Sequence, residues 1–373
     1  MTDPDPDGRS AEREAPVAFA RTVAARPGMR EVAEHAGVAM SSVSRVLNDH
    51  PDVSPKMREA VMGAVRELRY RPDMLAQALR RGKTFSVGFT VSDISNPVLA
   101  DAVTGAEKRL REAGYSLLLT NSEGNPELDV EHIMLFERRR VDGLILALAD
   151  ENHPGTVAAL RAVSVPIVLV DRNVPAGVNA RCVAFDHARG MLAATSHLLA
   201  LGHRHFALIT GGPERPARER QRAVEDTLAS AGVGAHCTVY AGHFSVEHGG
   251  RAMAEILASD PRPTAVVAGG NMLMQGALLA LRDSPVVLGR DISFVGCDDV
   301  VIAALHEPPI AVVRRDMLAV GVAAAELLLR DLDELGDSPG PGGLDHGGVA
   351  AEVILPTEFI PRASCGPAPV PVG

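Results

Sequence analysis

The chain has 373 residues, 46% of them hydrophobic and 3% aromatic, with no Trp. This length predicts two or three domains with aliphatic cores, and no apolar run approaches the roughly 20 residues that a membrane span requires. The formal net charge of −10 excludes nucleic-acid binding along the whole chain, but residues 30–83 contain ten Lys and Arg against seven Asp and Glu, a local charge of +3.

The first 71 residues are predicted to form an arm and a small helical unit. Residues 1–28 are rich in Pro, Asp, Arg and Ala and are expected to be disordered. A helix is predicted from 29 to 36, where Gly37 ends it, and a second from 40 to 47. Ser54 and Pro55 mark the start of a third helix. Three short helices with a glycine turn between the first two are typical of a helix-turn-helix in the range 29–71.

A short connecting segment follows at 72–83. Pro72 ends the helical unit, and Asp73 caps a predicted helix at 74–81 that is too short to be stable alone in water. Leu79 lies beside Arg80 and Arg81 in this segment. By itself this pattern fits an ordinary linker helix with Leu79 packed on the next domain.

From residue 85 the pattern changes to alternating strands and helices, which predicts parallel, doubly wound sheets. About 275 residues of this pattern suggest two lobes. The Gly- and Pro-rich stretch 336–348 is predicted to be a loop, and the tail 363–373 to be disordered. The predicted strands are 86–91, 115–120, 143–148, 166–170, 206–210, 238–241, 265–268 and 292–296.

A colinear series of motifs resembles the LacI/GalR family of bacterial repressors over residues 29–362. The motifs are the helix-turn-helix from Met29 to Asn48, Asp52-Val-Ser-Pro55, Tyr70-Arg-Pro72, Asp93-Ile-Ser-Asn-Pro97, Arg140-Val-Asp-Gly143, Leu201-Gly-His203 and Ile292-Ser-Phe-Val-Gly-Cys-Asp-Asp299. The resemblance implies an N-terminal all-α helix-turn-helix domain, a hinge helix at 72–83 and an α/β core similar to periplasmic binding proteins. Its two doubly wound lobes would comprise about 85–184 with 316–340, and about 185–315 with 349–362.

The resemblance also implies which side chains contact DNA. The start of the second helix would enter the major groove, where base edges are distinguishable. Arg45 would hold a guanine or a phosphate, and Leu79 would wedge into a minor-groove base step. Ala39 departs from the usual Ser or Thr cap, a change that costs about 1 kcal/mol in a typical helix. The predicted DNA-binding residues are Met40, Ser41, Ser42, Arg45, Asn48 and Leu79.

Ligands of open α/β sheets bind at the carboxyl ends of strands, and several polar residues follow predicted strands here. In the family, the positions that match Arg220 and Asp298 bind the effector; an interlobe ion pair or helix capping is the plainer alternative. A guanidinium and a carboxylate suit a polyhydroxylated ligand, so a sugar is the expected class. Val98-Leu99 and the absence of Trp depart from the aromatic platforms of relatives. The predicted effector-binding residues are Asp93, Asp171, Arg220, Asn271 and Asp298.

No catalytic, metal or cofactor motif is present in the sequence. The 13 histidines lack the spacing of a metal site, and the four cysteines lie far apart. We therefore expect no cofactor and a cytoplasmic, effector-controlled repressor that binds a pseudo-palindromic double-stranded operator as a homodimer or a higher assembly of dimers. The alternatives are a solute receptor, which the helix-turn-helix disfavours, and a sugar- or nucleotide-processing enzyme with a DNA module, which the missing catalytic motifs disfavour.

Overall fold

The computed structural model describes residues 27–47, 50–70, 83–337 and 352–369. The chain divides into two compact units, 1–82 and 83–373. Several predicted features lie outside the described residues: Asn48, the hinge segment up to residue 82 with its Leu79, and most of the predicted arm and of the 336–348 loop.

The first unit contains three helices, α1 (Met29–Ala36), α2 (Met40–Leu47) and α3 (Pro55–Glu67). Gly37 adopts a left-handed conformation (φ 66°), which ends α1 and turns the chain into α2. Ser54 caps α3, because its hydroxyl accepts a hydrogen bond from the Met57 amide at 3.3 Å. The core of the unit is formed by Val32, Ala33, Val43, Val46, Val61, Ala64 and Tyr70. The predicted helix-turn-helix is therefore confirmed.

The second unit alternates helices and strands, as the apolar runs predict. Its described helices are α4 (Pro97–Glu112), α5 (Pro126–Arg139), α6 (Pro154–Ala162), α7 (His187–Ala200), α8 (Arg215–Ala231), α9 (Val246–Ala258), α10 (Asn271–Arg282), α11 (Val301–Leu305) and α12 (Met317–Asp337). In the described residues, no helix is both long and apolar enough to cross a membrane.

The strands form two six-stranded sheets within the described residues. They are β1 (Ser86–Val91), β2 (Ser116–Asn121), β3 (Gly143–Leu146), β4 (Ile167–Val170), β5 (Arg181–Asp186), β6 (His205–Thr210), β7 (His236–Ala241), β8 (Ala265–Ala268), β9 (Ser293–Cys297), β10 (Ala311–Arg314), β11 (Glu352–Pro356) and β12 (Glu358–Ile360). The first sheet has the order β11-β5-β4-β3-β1-β2 and is parallel throughout. The second has the order β12-β10-β9-β8-β6-β7, with only β12 antiparallel. The predicted pair of doubly wound lobes is confirmed.

One predicted lobe boundary is wrong. The prediction places 349–362 in the second lobe, but β11 pairs with β5 at the edge of the first sheet. In this stretch the chain crosses to the second lobe at Thr357, where it enters β12. The buried Thr357 hydroxyl donates to the Asp186 carbonyl at 2.6 Å and accepts from the Gly190 amide at 2.9 Å. The chain passes between the lobes from β5 to α7 and again from β11 to β12, and the bonds of Thr357 hold these two connections together.

The helices of the first lobe pack closely because two glycines lie at their contact. A Cβ added to Gly105 of α4 would lie 2.2 Å from the Leu318 carbonyl oxygen, and one added to Gly321 of α12 would lie 1.9 Å from the Ala102 carbonyl oxygen. Any larger residue at either position would push the helices apart. The long helix α12, which begins where the chain returns from the second lobe, is therefore packed closely against α4 of the first lobe.

The predicted disorder of the tail is wrong for residues 363–369. Ser364 is fully buried, and its hydroxyl accepts from the Ala311 amide at 2.8 Å and donates to the Phe294 carbonyl at 2.6 Å. The Gly366 carbonyl accepts from the Ser293 hydroxyl at 3.0 Å. These bonds satisfy polar groups of the second lobe, so this part of the tail belongs to that lobe.

Candidate functional site

The predicted DNA-contacting residues of α2 lie on the outside of the helical unit. Val43 and Val46 are buried, whereas Met40, Ser41 and Arg45 are exposed and Ser42 is half-buried. Ser41 and Arg45 are four residues apart and therefore share one face of the helix. The apolar face of α2 fixes the helix in the unit and leaves these side chains free to meet a partner.

A second site lies where the carboxyl ends of the strands of both sheets meet. Four of the five predicted effector-binding residues, Asp171, Arg220, Asn271 and Asp298, line one cavity of about 90 Å³. Asp171 follows β4 of the first sheet, whereas Asp298 follows β9 of the second. Asp93 is not among the lining residues; its carboxylate accepts bonds from the Ser95 amide and hydroxyl at 2.9 and 2.6 Å.

Arg315 joins the two carboxylates at the centre of this cavity. Its guanidinium donates to both oxygens of Asp298 at 2.7 and 3.0 Å, and to Asp171 at 3.0 Å. Its side chain is only 9% exposed and lies over the Phe185 ring, 5.3 Å from the ring centroid. Because Asp171 and Asp298 belong to different sheets, one guanidinium ties the two lobes together.

Both carboxylates are carried by residues in an unusual backbone conformation. Asp171 has φ 54° and Asp298 has φ 71°, in the left-handed region that non-glycine residues seldom adopt. Each amide is held by the neighbouring strand, with bonds to the Val183 and Val313 carbonyls at 2.7 and 2.9 Å. Such conformations cost about 1–3 kcal/mol and cluster at ligand sites. The two strand ends are thus shaped to present carboxylates to the cavity.

His187, the first residue of α7, connects Asp171 to Arg220. The Nε2 atom of His187 lies 2.9 Å from Asp171 Oδ1, and Arg220 Nε donates to His187 Nδ1 at 3.3 Å. Since Nδ1 accepts, the proton is on Nε2, from which it is donated to Asp171. Arg220 Nη1 donates to the Gly269 carbonyl, while the buried Nη2 atom has no hydrogen-bond partner in the described part of the chain.

The charges of this cluster shift the pKa of each member. Burial lowers the pKa of His187, and Arg220 and Arg315 lower it as well; although the Asp171 carboxylate raises it, the net pKa is about 4. Burial raises the pKa of both Asp298 and Asp171. Together, however, Arg315, His187 and Arg220 lower it more, and they hold the pKa of each carboxyl below its usual range. The two carboxylates are therefore ionised at pH 7 while His187 is neutral.

We expect stability to depend on pH through His187. The folded pKa of about 4 lies below the unfolded value of 6.5, so between these values only the unfolded chain takes up the proton. The free energy of unfolding should fall by about 2 kcal/mol from pH 7 to pH 5 on this account. Urea unfolding at both pH values should show this loss in the wild type and a clearly smaller loss in His187→Gln, which keeps a donor and an acceptor. An equal loss in both proteins would contradict the assignment.

An apolar wall with one aromatic ring completes the cavity. Phe244 lines the cavity, and its ring packs against Gly211 and Gly270. A Cβ added to Gly211 would lie 2.2 Å from this ring, and one added to Gly270 would lie 2.8 Å from it. Asn271, which also lines the cavity, donates through Nδ2 to Asn96 Oδ1 at 2.9 Å, a second contact between the lobes. Although the chain has no Trp, Phe244 supplies an aromatic surface in the cavity and offers a ring face for stacking.

Three important residues of the site were missed by sequence reasoning. Arg315 follows β10, a four-residue strand that was not predicted, and His187 follows β5, which begins with a charged residue. Phe244 lies three residues after β7. Each nevertheless follows the rule that identified Asp171 and Asp298, because each lies just beyond the carboxyl end of a strand. Had β5 and β10 been predicted, the same rule would have identified His187 and Arg315.

Two family models match the chain. The model for bacterial regulatory proteins of the lacI family matches residues 28–73, and the model for a periplasmic binding protein-like domain matches residues 195–365. The first range contains the helix-turn-helix unit, and the second contains Arg220, Asn271, Asp298 and Arg315.

Curated relatives and solved structures match over most of their length. The ribose operon repressor of Escherichia coli (strain K12) is 30% identical over 311 residues, which cover 82% of this chain and 93% of that protein. The structure of the Lac repressor dimer bound to operator and the anti-inducer ONPF matches with a TM-score of 0.78 and 26% identity, over 91% of this chain and 98% of that chain. A complex of the transcriptional regulator CelR with cellobiose matches with a TM-score of 0.65 and 30% identity, over 91% and 100%.

Proposed function

Because this chain belongs to the lacI family of bacterial regulatory proteins, we propose that it represses transcription by binding an operator, and that a small molecule in the cavity between the lobes controls this binding. The family membership confirms the prediction of a regulator rather than an enzyme. The observation that carries the effector part of the proposal is the cluster in which Arg315 joins Asp171 of one lobe to Asp298 of the other.

The cluster explains how an effector would act. A ligand between the lobes meets Asp171 from one side and Asp298 from the other, so it changes the bonds on which the relative placement of the lobes depends. Its effect on DNA binding is limited to its difference in affinity for the two arrangements. The connection between core and DNA-binding unit passes through 72–83, where the sequence predicts a hinge helix with the Leu79 wedge.

A sugar or sugar derivative is the proposed effector class. Buried guanidinium and carboxylate groups beside the Phe244 ring can bind hydroxyls and stack on a sugar face. One relative is named for the ribose operon, and one matched structure contains cellobiose.

The proposed function is tested by screening ligands on the full chain. Operator sequences are first selected from random duplexes, and binding is followed by fluorescence anisotropy. Sugars and sugar derivatives that raise the melting temperature are then tested for a change of at least tenfold in operator affinity. Failure to select any DNA sequence, or ligands that bind without changing DNA affinity, would contradict the proposal.

The proposed homodimer is supported by an exposed apolar surface on α11. Val301 and Leu305 are 74% and 79% exposed, unusually high for aliphatic side chains. The matched Lac repressor structure is a dimer bound to operator. A dimer would place two copies of α2 on one DNA duplex, which matches the pseudo-palindromic operator that we propose.

We expect Leu305→Glu to weaken dimerisation by at least about a hundredfold, because two buried leucines contribute roughly 1.5–3 kcal/mol each. Light scattering over a dilution series measures the change. Leu192→Glu is the matched control, since Leu192 is also exposed (55%) but lies on α7. Equal effects of the two substitutions, or none from Leu305→Glu, would place the interface elsewhere.

A further inference from the structure

Arg220 differs from the other charged residues of the cavity because it has no counter-ion among the residues that the structure describes. It is 2% exposed, its Nε contacts a neutral imidazole and its Nη1 contacts a carbonyl, whereas its Nη2 has no hydrogen-bond partner within the described ranges. In the described part of the chain, no carboxylate lies within 4.0 Å of its guanidinium. A buried guanidinium without a partner is costly, and the site therefore has an unmet requirement for negative charge.

The nearby carboxylates are already occupied. Asp298 binds Arg315 through both oxygens, and Asp171 binds Arg315 and His187. The charged residues that line the cavity are three arginines and two aspartates, an excess of one positive charge.

The acidic groups at the edge of the cavity do not remove this excess. Glu151 lies 3.7 Å from Arg172 but is shared with Arg218 at 3.2 Å. Glu219, which precedes Arg220, pairs instead with Arg215 at 2.7 Å. Burial raises the pKa of Glu214, which favours its neutral form. The charge on Arg220 is consequently not balanced by any of these groups.

We propose that the effector is anionic and places a carboxylate or phosphate oxygen on Nη2 of Arg220. The inference rests on the proposed function, because it assigns a chemical class to the effector of the same cavity. The anion supplies the missing partner through a charge-assisted hydrogen bond. Phe244 and the apolar wall then contact the carbon skeleton, so the effector is an acidic or phosphorylated sugar derivative rather than a neutral sugar.

The first experiment compares matched ligands on the wild-type chain at constant ionic strength. D-ribose is paired with D-ribose 5-phosphate, D-glucose with D-gluconate, and inorganic phosphate with chloride. A charge-assisted bond in place of a neutral one should lower Kd by about tenfold or more. Tighter binding of ribose 5-phosphate and phosphate assigns a phosphate, whereas tighter binding of gluconate assigns a carboxylate. Neutral sugars that bind as tightly as their anionic partners, or no stabilisation by any anion, would overturn the inference.

The second experiment uses a variant and its matched control. Arg220→Gln removes the charge but keeps a donor, and Arg222→Gln changes an exposed arginine on the same helix. Phosphate should raise the melting temperature of the wild type and of Arg222→Gln, and should lose this effect in Arg220→Gln. An undiminished phosphate effect in Arg220→Gln would place the anion elsewhere and overturn the assignment. This result is distinguishable from failure of the proposed function: a neutral sugar that releases the operator would support the proposed function while overturning the anionic class.

Discussion

Replacing Arg315 by methionine should reduce the free energy of unfolding of the core by about 3–5 kcal/mol, the usual cost of removing one partner from a buried ion pair. The carboxylates of Asp171 and Asp298 would lose their shared guanidinium while both remain nearly fully buried. For a unit of this size the melting temperature should fall by roughly 6–10 °C. Calorimetry of the full chain at pH 7.5 measures the change.

Two further variants separate the loss of the ion pair from a general effect of mutation. Arg314→Met changes the preceding arginine, whose side chain is 52% exposed and pairs with the exposed Glu358, and should cost less than about 1 kcal/mol. Adding Asp298→Asn to Arg315→Met should restore part of the stability, because one of the two unpaired charges is removed. Equal losses from Arg314→Met and Arg315→Met would contradict the role that we assign to Arg315.

Replacing Arg45 by alanine should weaken binding to the selected operator by about 1–3 kcal/mol per half-site, which amounts to roughly thirtyfold or more for the dimer. Arg45 is exposed on the face of α2 that also carries Ser41. A guanidinium that donates to both acceptors of a guanine reads sequence, so Arg45→Ala should also relax the preference at one base pair. Competition between selected and single-base variant duplexes measures both effects.

The salt dependence of binding distinguishes a base contact from a phosphate contact. If Arg45 binds a base, its removal leaves the slope of log K against log salt nearly unchanged. Arg66→Ala, an exposed arginine on α3, is the control and should not alter base preference. A uniform loss of affinity on all sequences, with a reduced salt slope, would assign Arg45 to a phosphate and contradict the base contact.

The sequence predicts most elements of the fold because strands and helices leave local patterns. The strand predicted from the apolar run 265–268 has the same first and last residues as β8, and Gly37 ends α1 as predicted. The strands that were missed, β5, β10, β11 and β12, are short or contain charged residues. Their pairing depends on partners far along the chain, as in β11 with β5, and local periodicity carries no information about such pairing. The buried tail at Ser364 was missed for the same reason.

The sequence predicted where the candidate site lies but not which of its residues are bonded to one another. The strand-end rule found Asp171 and Asp298, yet the bond between Asp171 and Arg315 joins residues 144 positions apart. The ion pair that was the plainer alternative for Arg220 and Asp298 does not form; Asp298 pairs with Arg315 instead, and among the described residues Arg220 has no counter-ion. This difference has a consequence for function, because it narrows the proposed effector from sugars and their derivatives in general to anionic derivatives.

The central claim is that one chain binds specific DNA and that occupation of the cavity at Arg220 controls this binding. The most direct test is anisotropy of the selected operator with wild type and Arg220→Gln, titrated with the anionic ligand that binds the wild type most tightly. We predict that added ligand changes the operator affinity of the wild type by tenfold or more, whereas the operator affinity of Arg220→Gln stays at its own ligand-free value. An equal ligand response in Arg220→Gln would contradict the account.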